Sequence, residues 1–323
     1  MGVARLDWGK LGLLSLLWGG SFFFVEIALT GLPPLAVVWL RVAIGACGLG
    51  LVMGASGKAF PRGRAVWVAL AGMGFLNNAL PFTLFALAQG QISGGLAAIL
   101  NATTPLFTLV VMHLFTRDER ITPARALGLV AGLGGVVVMM WGRGGDQGWD
   151  GVLWAKGACL AAALSYGLAG VWSRRFLRLG VAPMQMAFGQ CASATLMLAP
   201  VLTVALPRDM ALPGASVWLA MAGLGGLSTV VAYLLFFSIL AAGGAVRLSL
   251  VTFLIPVSAT ALGVAFLDQL PEGRHVAGFA LIALGLVAVG RRSKAPVRAA
   301  SAGSSRSAEA PSPAISRGGT GYR

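Results

Sequence analysis

Ten apolar runs, each about as long as a bilayer is thick, fill most of this chain and limit its fold more than any other feature. They fall at 10–31, 34–54, 66–88, 92–115, 124–141, 152–174, 183–205, 216–239, 243–267 and 275–290, with Gly, Pro or charge between neighbours. About 30 Å of hydrocarbon at 1.5 Å per helical residue needs about 20 residues. A helix satisfies its backbone groups within the segment, which an open strand in lipid cannot do. The runs also lack the alternation of barrel strands. Only 11% of the 323 residues are charged, against roughly 25% in a soluble domain, too few to cover this apolar surface in water. The expected fold is an all-α membrane protein of ten transmembrane helices.

The first run follows Arg5 and Lys10, as a secretory leader would, but it is longer than a leader and ends in Thr30-Gly31-Leu32-Pro33-Pro34 without a small-residue cleavage site. It is read as a retained helix. Basic loop residues set the orientation. With the N-terminus inside, 19 Lys and Arg lie on the inner side and 4 (Arg143, Lys156, Arg208, Arg274) on the outer, with Arg41 inside the membrane. The expected protein is multi-pass in a bacterial-type inner (plasma) membrane, with both termini cytoplasmic. Residues 1–9 form the N-terminus. Residues 291–323 form a basic Ser/Ala/Pro/Gly-rich tail, expected to be disordered and to touch anionic membrane lipid. The formal charge of +14 does not indicate a nucleic-acid partner, because the basic residues form no stripe with interleaved aromatics.

The chain repeats itself. Trp18-Gly19 is answered by Tyr166-Gly167, and Pro34 with Arg41 by Pro183 with Gln190. Trp67, Gly72, Gly74 and Asn77 are answered by Trp218, Gly223, Gly225 and Ser228, and the segment from Asn101 to Pro105 by Thr252 to Pro256. The offset stays between 148 and 151 residues. Each half, 10–141 and 152–290, holds five helices, an odd number, so the second enters the membrane from the opposite side. Such inverted repeats occur in many secondary transporters, because two inverted halves make inward-open and outward-open states near mirror images and near in energy.

Two charges lie well inside the membrane. Glu26 and Arg41 sit about 8 and 10 Å from the outer turn joining their helices, where a lone charge costs about 2.5–3.5 kcal/mol or more at mid-bilayer. One reading is a salt bridge fixing the first two helices; the others are proton coupling through Glu26 or an outer gate. At mid-depth, Trp18, Asn77, Asn78, Asn101, Thr104, Tyr166, Ser228 and Thr252 are the candidate substrate-binding residues. Polar pairs at one level in lipid face either a wet cavity or each other.

An enzyme is not expected. Ser21 lies mid-membrane while His113 and His275 lie at opposite ends, so the depths disagree by about 10 Å or more. No H-E-x-x-H is present, and the segment 54–59 is too short for a phosphate loop. No catalytic residue, metal site or cofactor is expected. Gly128-x-x-x-Gly132 fits helix packing and implies no particular oligomer.

The chain resembles the drug/metabolite transporter superfamily, in particular its ten-helix EamA-type family. The likeness rests on Trp18-Gly19-Gly20-Ser21-Phe22, Leu40-Arg41, Thr104-Pro105, the run Asp118-Glu119-Arg120-Ile121-Thr122, and Gly128 and Gly135. In the second half it rests on Ile255-Pro256, Leu267-Asp268, Gly278 and Gly285. The resemblance implies a cavity between the halves and a secondary transporter, of the exporter kind, for a small polar or zwitterionic metabolite such as an amino acid. Transport would proceed by alternating access, with protons as a candidate coupling ion. The other function weighed is a lipid-moving or scaffold protein.

Overall fold

The computed structural model describes residues 8–116, 121–140, 149–206, 211–243 and 245–290. The 291–323 tail, the Asp118-Glu119-Arg120 run, Arg5, Arg143 and Arg208 lie outside the described residues, as do the side chains of Arg247 and Ser249. Ten helical spans are seen among the described residues. They are α1 (Trp8–Ala28), α2 (Pro34–Ala55), α3 (Arg64–Ala88), α4 (Gly94–Phe115) and α5 (Pro123–Met140). The second half supplies α6 (Trp149–Arg178), α7 (Pro183–Ala205), α8 (Ala215–Ile239), α9 (Ala245–Leu267) and α10 (Gly273–Gly290). Seven are long and apolar enough to cross a membrane; shorter apolar stretches, Arg125–Val138, Leu254–Leu267 and Gly273–Val287, lie in α5, α9 and α10. α6 begins before its apolar run and continues through Arg174 and Arg175 to Arg178, with the Arg175 guanidinium over the Trp172 ring.

Local chemistry explains where the helices begin. Pro34 and Pro183 open α2 and α7, where a missing N–H is no loss and a fixed φ suits the helix. Ser93 caps α4 by accepting from Leu96 N at 3.3 Å.

Packing follows the repeat. α5 lies along α10 and α2 along α7, each pairing a helix with its own counterpart. α1 packs on α9 as α6 packs on α4, and α2 packs on α8 as α7 packs on α3. Every one of these contacts has its mate when the two halves are exchanged, which fits two inverted five-helix repeats.

α3 and α8 depart from α geometry at corresponding places, in π-helical segments Phe75–Ala79 and Gly223–Val231. In α3 the cause is local. Leu80 N–H donates to Phe75 O, five residues back. The same register would give Leu76 O the N–H of Pro81, which does not exist. Ser165 of α6 fills the gap, its Oγ donating to Leu76 O at 2.6 Å. Such wide turns recur at functional sites; the first carries Asn77 and Asn78 and the second Ser228 and Thr229. α4 is broken by a turn at Ala102 and Thr103, just before Pro105, whereas α9 runs unbroken through Pro256.

For orientation, one end of the bundle holds Lys58, Arg62, Arg64, Arg174, Arg175 and Arg178 and is here called the basic end. The chain reverses into α4 and from α9 to α10 at the opposite end.

Candidate functional site

A cavity of about 440 Å³ lies where α1, α2, α3 and α4 meet α6, α7, α8 and α9. Trp18, Asn77, Asn101, Thr104, Tyr166, Ser228 and Thr252 all line it, and so does Arg41. Asn78 does not. It is fully buried in the α3–α7 contact, with Nδ2 toward Cys191 Sγ at 3.7 Å. Successive side chains on a helix differ by about 100°, and here that rotation turns Asn78 onto α7 while Asn77 faces the space.

Glu26 also stands elsewhere. No ion pair joins it to Arg41 among the described residues; each has other partners. Glu26 Oε2 accepts from Gly94 N at 3.1 Å, at the first turn of α4, where backbone N–H groups favour a carboxylate. Its Oε1 accepts from Gln269 Nε2, from the turn after α9. That turn is made by Asp268 in the left-handed region (φ 52°), a conformation less costly for Asp than for most residues. It brings Gln269 back over α1. Depth in sequence put the two charges level, but helix rotation sends one to the cavity and the other to its far rim.

Arg41 Nε donates to Thr229 Oγ1 at 3.3 Å, and its guanidinium carbon lies 3.8 Å from the centre of the Phe82 ring. That face-on contact favours a cation. Thr229 in turn donates to Leu224 O at 2.9 Å, a carbonyl five residues back in the π segment, which leaves a lone pair for Arg41. The other half makes the related contact: Asn77 Nδ2 on α3 donates to Gln190 Oε1 on α7 at 2.9 Å. On α4, Thr104 Oγ1 donates to Asn101 O at 2.7 Å, across the break. Ser21 also lines the cavity, its hydroxyl donating to Trp18 O at 2.6 Å.

Around these polar groups stand aromatic rings: Phe22, Phe82, Phe85, Tyr233, Phe236 and Phe237, with Trp18 and Tyr166. Trp18 meets Phe236 at 5.6 Å, and Phe85 stacks on Tyr166 at 6.3 Å between centroids. Arg41 is the one charged side chain among the described lining residues. The space therefore offers one fixed cation, several neutral hydrogen-bonding groups and an aromatic wall. Sequence reasoning missed the six further aromatics, because a Phe facing a cavity and one facing lipid look alike in an apolar run. Gln190 had a signal, since it occupies the place of Arg41 in the repeat.

Asn77 and Asn78 make a paired prediction. Asn77→Ala removes a cavity-facing amide that also spans the halves, so substrate affinity falls about tenfold, and the unfolding temperature drops modestly because the buried Gln190 Oε1 loses its donor. Asn78→Ala acts on packing and lowers the unfolding temperature with affinity kept. Binding and melting assays on both variants check this, and an unchanged affinity for Asn77→Ala removes it from the site.

The EamA-like transporter family matches residues 10–141 and 151–291. The chain is 28% identical to a protein of Ancylobacter novellus named aromatic amino acid exporter YddG, over 87% of this chain and 96% of that one. It is 27% identical to the "uncharacterized transporter YoaV" of Bacillus subtilis over 51% of this chain, an alignment spanning 56% of that relative's length. A solved crystal structure covers 87% of this chain and 95% of its own at a TM-score of 0.63 and 24% identity, a likeness of fold. With both five-helix halves matched, the chain belongs to the EamA-like transporter family, and it is a multi-pass membrane transporter.

Proposed function

We propose that the chain exports a small zwitterionic metabolite of the amino-acid class, with an apolar or aromatic side chain, by alternating access. The observation that carries this is the cavity's lining: Arg41 facing a space bounded by amides, hydroxyls and aromatic rings, with no Asp or Glu among the described lining residues. Arg41 is suited to a carboxylate, which a guanidinium holds through two parallel hydrogen bonds. Asn77, Asn101, Thr104, Ser228 and Thr252 are suited to an ammonium or hydroxyl, and the rings to the side chain. Similarity to a protein named as an aromatic amino acid exporter supports this class.

In this reading the repeats 10–141 and 152–290 move against each other around the cavity, and Glu26 closes one end. Its carboxylate joins α1 and α4 of the first repeat to Gln269 of the second. Phe22 and Gln89, both lining the cavity, converge on Gly94 beside that carboxylate. Towards the basic end the cavity reaches Met186 and Ser173. The basic end faces the cytoplasm, following the Lys/Arg bias. Cysteines at Ser56 and Thr116 are then shielded from an impermeant reagent in intact cells, and one at Gly214 reacts; labelling of Ser56 from outside overturns this orientation.

Glu26→Gln presents an amide N–H to groups that already donate. Hydrogen bonds to a charged group contribute about 1.5–3 kcal/mol, so closure weakens. With the native cysteines replaced, a cysteine at Thr104 reacts from the Gly94 side at least about tenfold faster in the Glu26→Gln background. An unchanged rate means that Glu26 does not hold the closure.

The function itself is tested in proteoliposomes loaded with radiolabelled amino acids, with and without a pH gradient. The expected result is saturable release of phenylalanine, tyrosine or tryptophan. Release no faster than from empty vesicles for every amino acid sinks the proposal. Accumulation that requires the pH gradient and disappears in Glu26→Gln assigns proton coupling to that residue as well.

A further inference from the structure

A second cavity, of about 400 Å³, lies at the end opposite the basic end, among α4, α6, α9 and α10. Its lining is unlike the first. Lys156 and Arg274 face it together with Asp268 and Glu272, so charges of both signs border one small space. Lys156 is only 3% exposed although it carries an ammonium. Arg274 Nη2 donates to Glu272 Oε1 at 2.8 Å, a hydrogen bond that holds the Glu272 carboxyl below its usual range. The charges are thus balanced, with neither sign dominating. His275, placed by the sequence at the outer end of its helix, is 8% exposed and lines the same space. Its Nε2 is buried with no hydrogen-bond partner among the described residues. Leaving such an atom unsatisfied is costly, and a ligand that supplies a partner recovers that cost. Gln269 lines this cavity while its amide holds Glu26. One side chain therefore belongs both to the second cavity and to the closure at the rim of the first.

The geometry points to a second ligand site here for a zwitterion, an oxyanion and an ammonium on one small molecule, placed just beyond the Glu26 closure. A ligand of one sign alone would meet like charge from Asp268 or from Lys156, whereas a zwitterion meets a complement at both ends. A volume of about 400 Å³ is within the ordinary range for small-molecule pockets. Two sources share this chemistry: a free amino acid and the ethanolamine phosphate headgroup of a lipid. The amino-acid case rests on the transport function proposed above and makes this a release-side subsite; the lipid case does not depend on it.

The test uses the purified full-length chain in detergent. Equilibrium binding of radiolabelled L-phenylalanine is measured for wild type, Arg41→Gln, Lys156→Met and Thr260→Phe. Thr260 lines the second cavity, so the Phe fills it while leaving Lys156 in place, and it carries the test if Lys156→Met is poorly folded. The same samples are examined by native mass spectrometry for retained phosphatidylethanolamine. The expected result is two equivalents of phenylalanine per chain. One is weakened about tenfold or more by Lys156→Met and by Thr260→Phe, and the other by Arg41→Gln. Retention of phosphatidylethanolamine by wild type and its loss from both second-cavity variants equally supports the site and names lipid as the occupant. If the second-cavity variants bind phenylalanine and phosphatidylethanolamine as wild type does, the site does not exist. Phenylalanine binding that ignores Arg41→Gln counts against the central cavity alone, so the two proposals fail separately.

Discussion

Arg41→Gln lowers transport about 10- to 100-fold without unfolding the protein. Hydrogen bonds to a charged group contribute about 1.5–3 kcal/mol, and each 1.4 kcal/mol is a tenfold change in binding. Arg41 is the one charged side chain on the cavity lining among the described residues, so no neighbour replaces it for a carboxylate. A salt-bridged Arg41 would behave otherwise, because its removal would strand a buried acid and destabilise the fold by about 3–5 kcal/mol. Here the guanidinium rests on Phe82 and Thr229, and Glu26 has its own donors in Gly94 and Gln269. The melting temperature of Arg41→Gln therefore stays near or above that of wild type. The stability changes of Glu26→Gln and Arg41→Gln add in the double variant, as they do for sites without shared partners. Flux in proteoliposomes and thermal unfolding in detergent measure both. Flux within twofold of wild type, or a double variant more stable than Glu26→Gln alone by rescue of a lone charge, contradicts this account.

Gly285→Leu abolishes the folded protein or lowers its melting temperature far more than any cavity substitution. The helices α5 and α10 approach each other backbone to backbone. A Cβ on Gly285 would stand 2.6 Å from Gly132 N and also against Gly128 O. One on Gly135 would stand 2.5 Å from Gly278 O. These are main-chain atoms, which cannot swing aside as a side-chain tip can. Overpacking of a tight interface costs typically about 1–3 kcal/mol and occasionally more, and small residues are what let membrane helices come this close. Gly128 with Gly285 and Gly135 with Gly278 are counterparts under exchange of the halves, so Gly135→Leu has a like effect. Gly134→Leu is the control, because nothing lies within 4 Å of a Cβ there. Expression level and unfolding temperature of the three variants decide it. If Gly285→Leu melts with Gly134→Leu, the α5–α10 contact is not what holds the halves together.

The span boundaries were legible in the sequence because the bilayer imposes a length and an apolarity on each helix that local composition records directly. The starts at Pro34 and Pro183 agree with the structure to the residue, and the remaining described ends to within a few. The repeat was legible too, since Pro34 and Arg41 against Pro183 and Gln190 need only alignment of the chain with itself. Depth along a helix, about 1.5 Å per residue, also comes from counting, and so Trp18, Asn77, Asn101, Thr104, Tyr166, Ser228 and Thr252 could be named together. Rotation about the helix axis could not be counted. A helix buried against neighbours on most sides has almost no polar face to mark its orientation, and a π segment shifts the phase of the residues beyond it. That is why Asn78 could not be told from Asn77, why Glu26 and Arg41 looked like partners, and why the aromatic wall was not seen. His275 was hidden for a related reason: whether a side chain at a helix end is covered depends on the loop that folds over it. Contacts between helices far apart in sequence decided those matters, as packing among nearly uniform apolar surfaces is set by shape, and shape is a property of the assembled bundle.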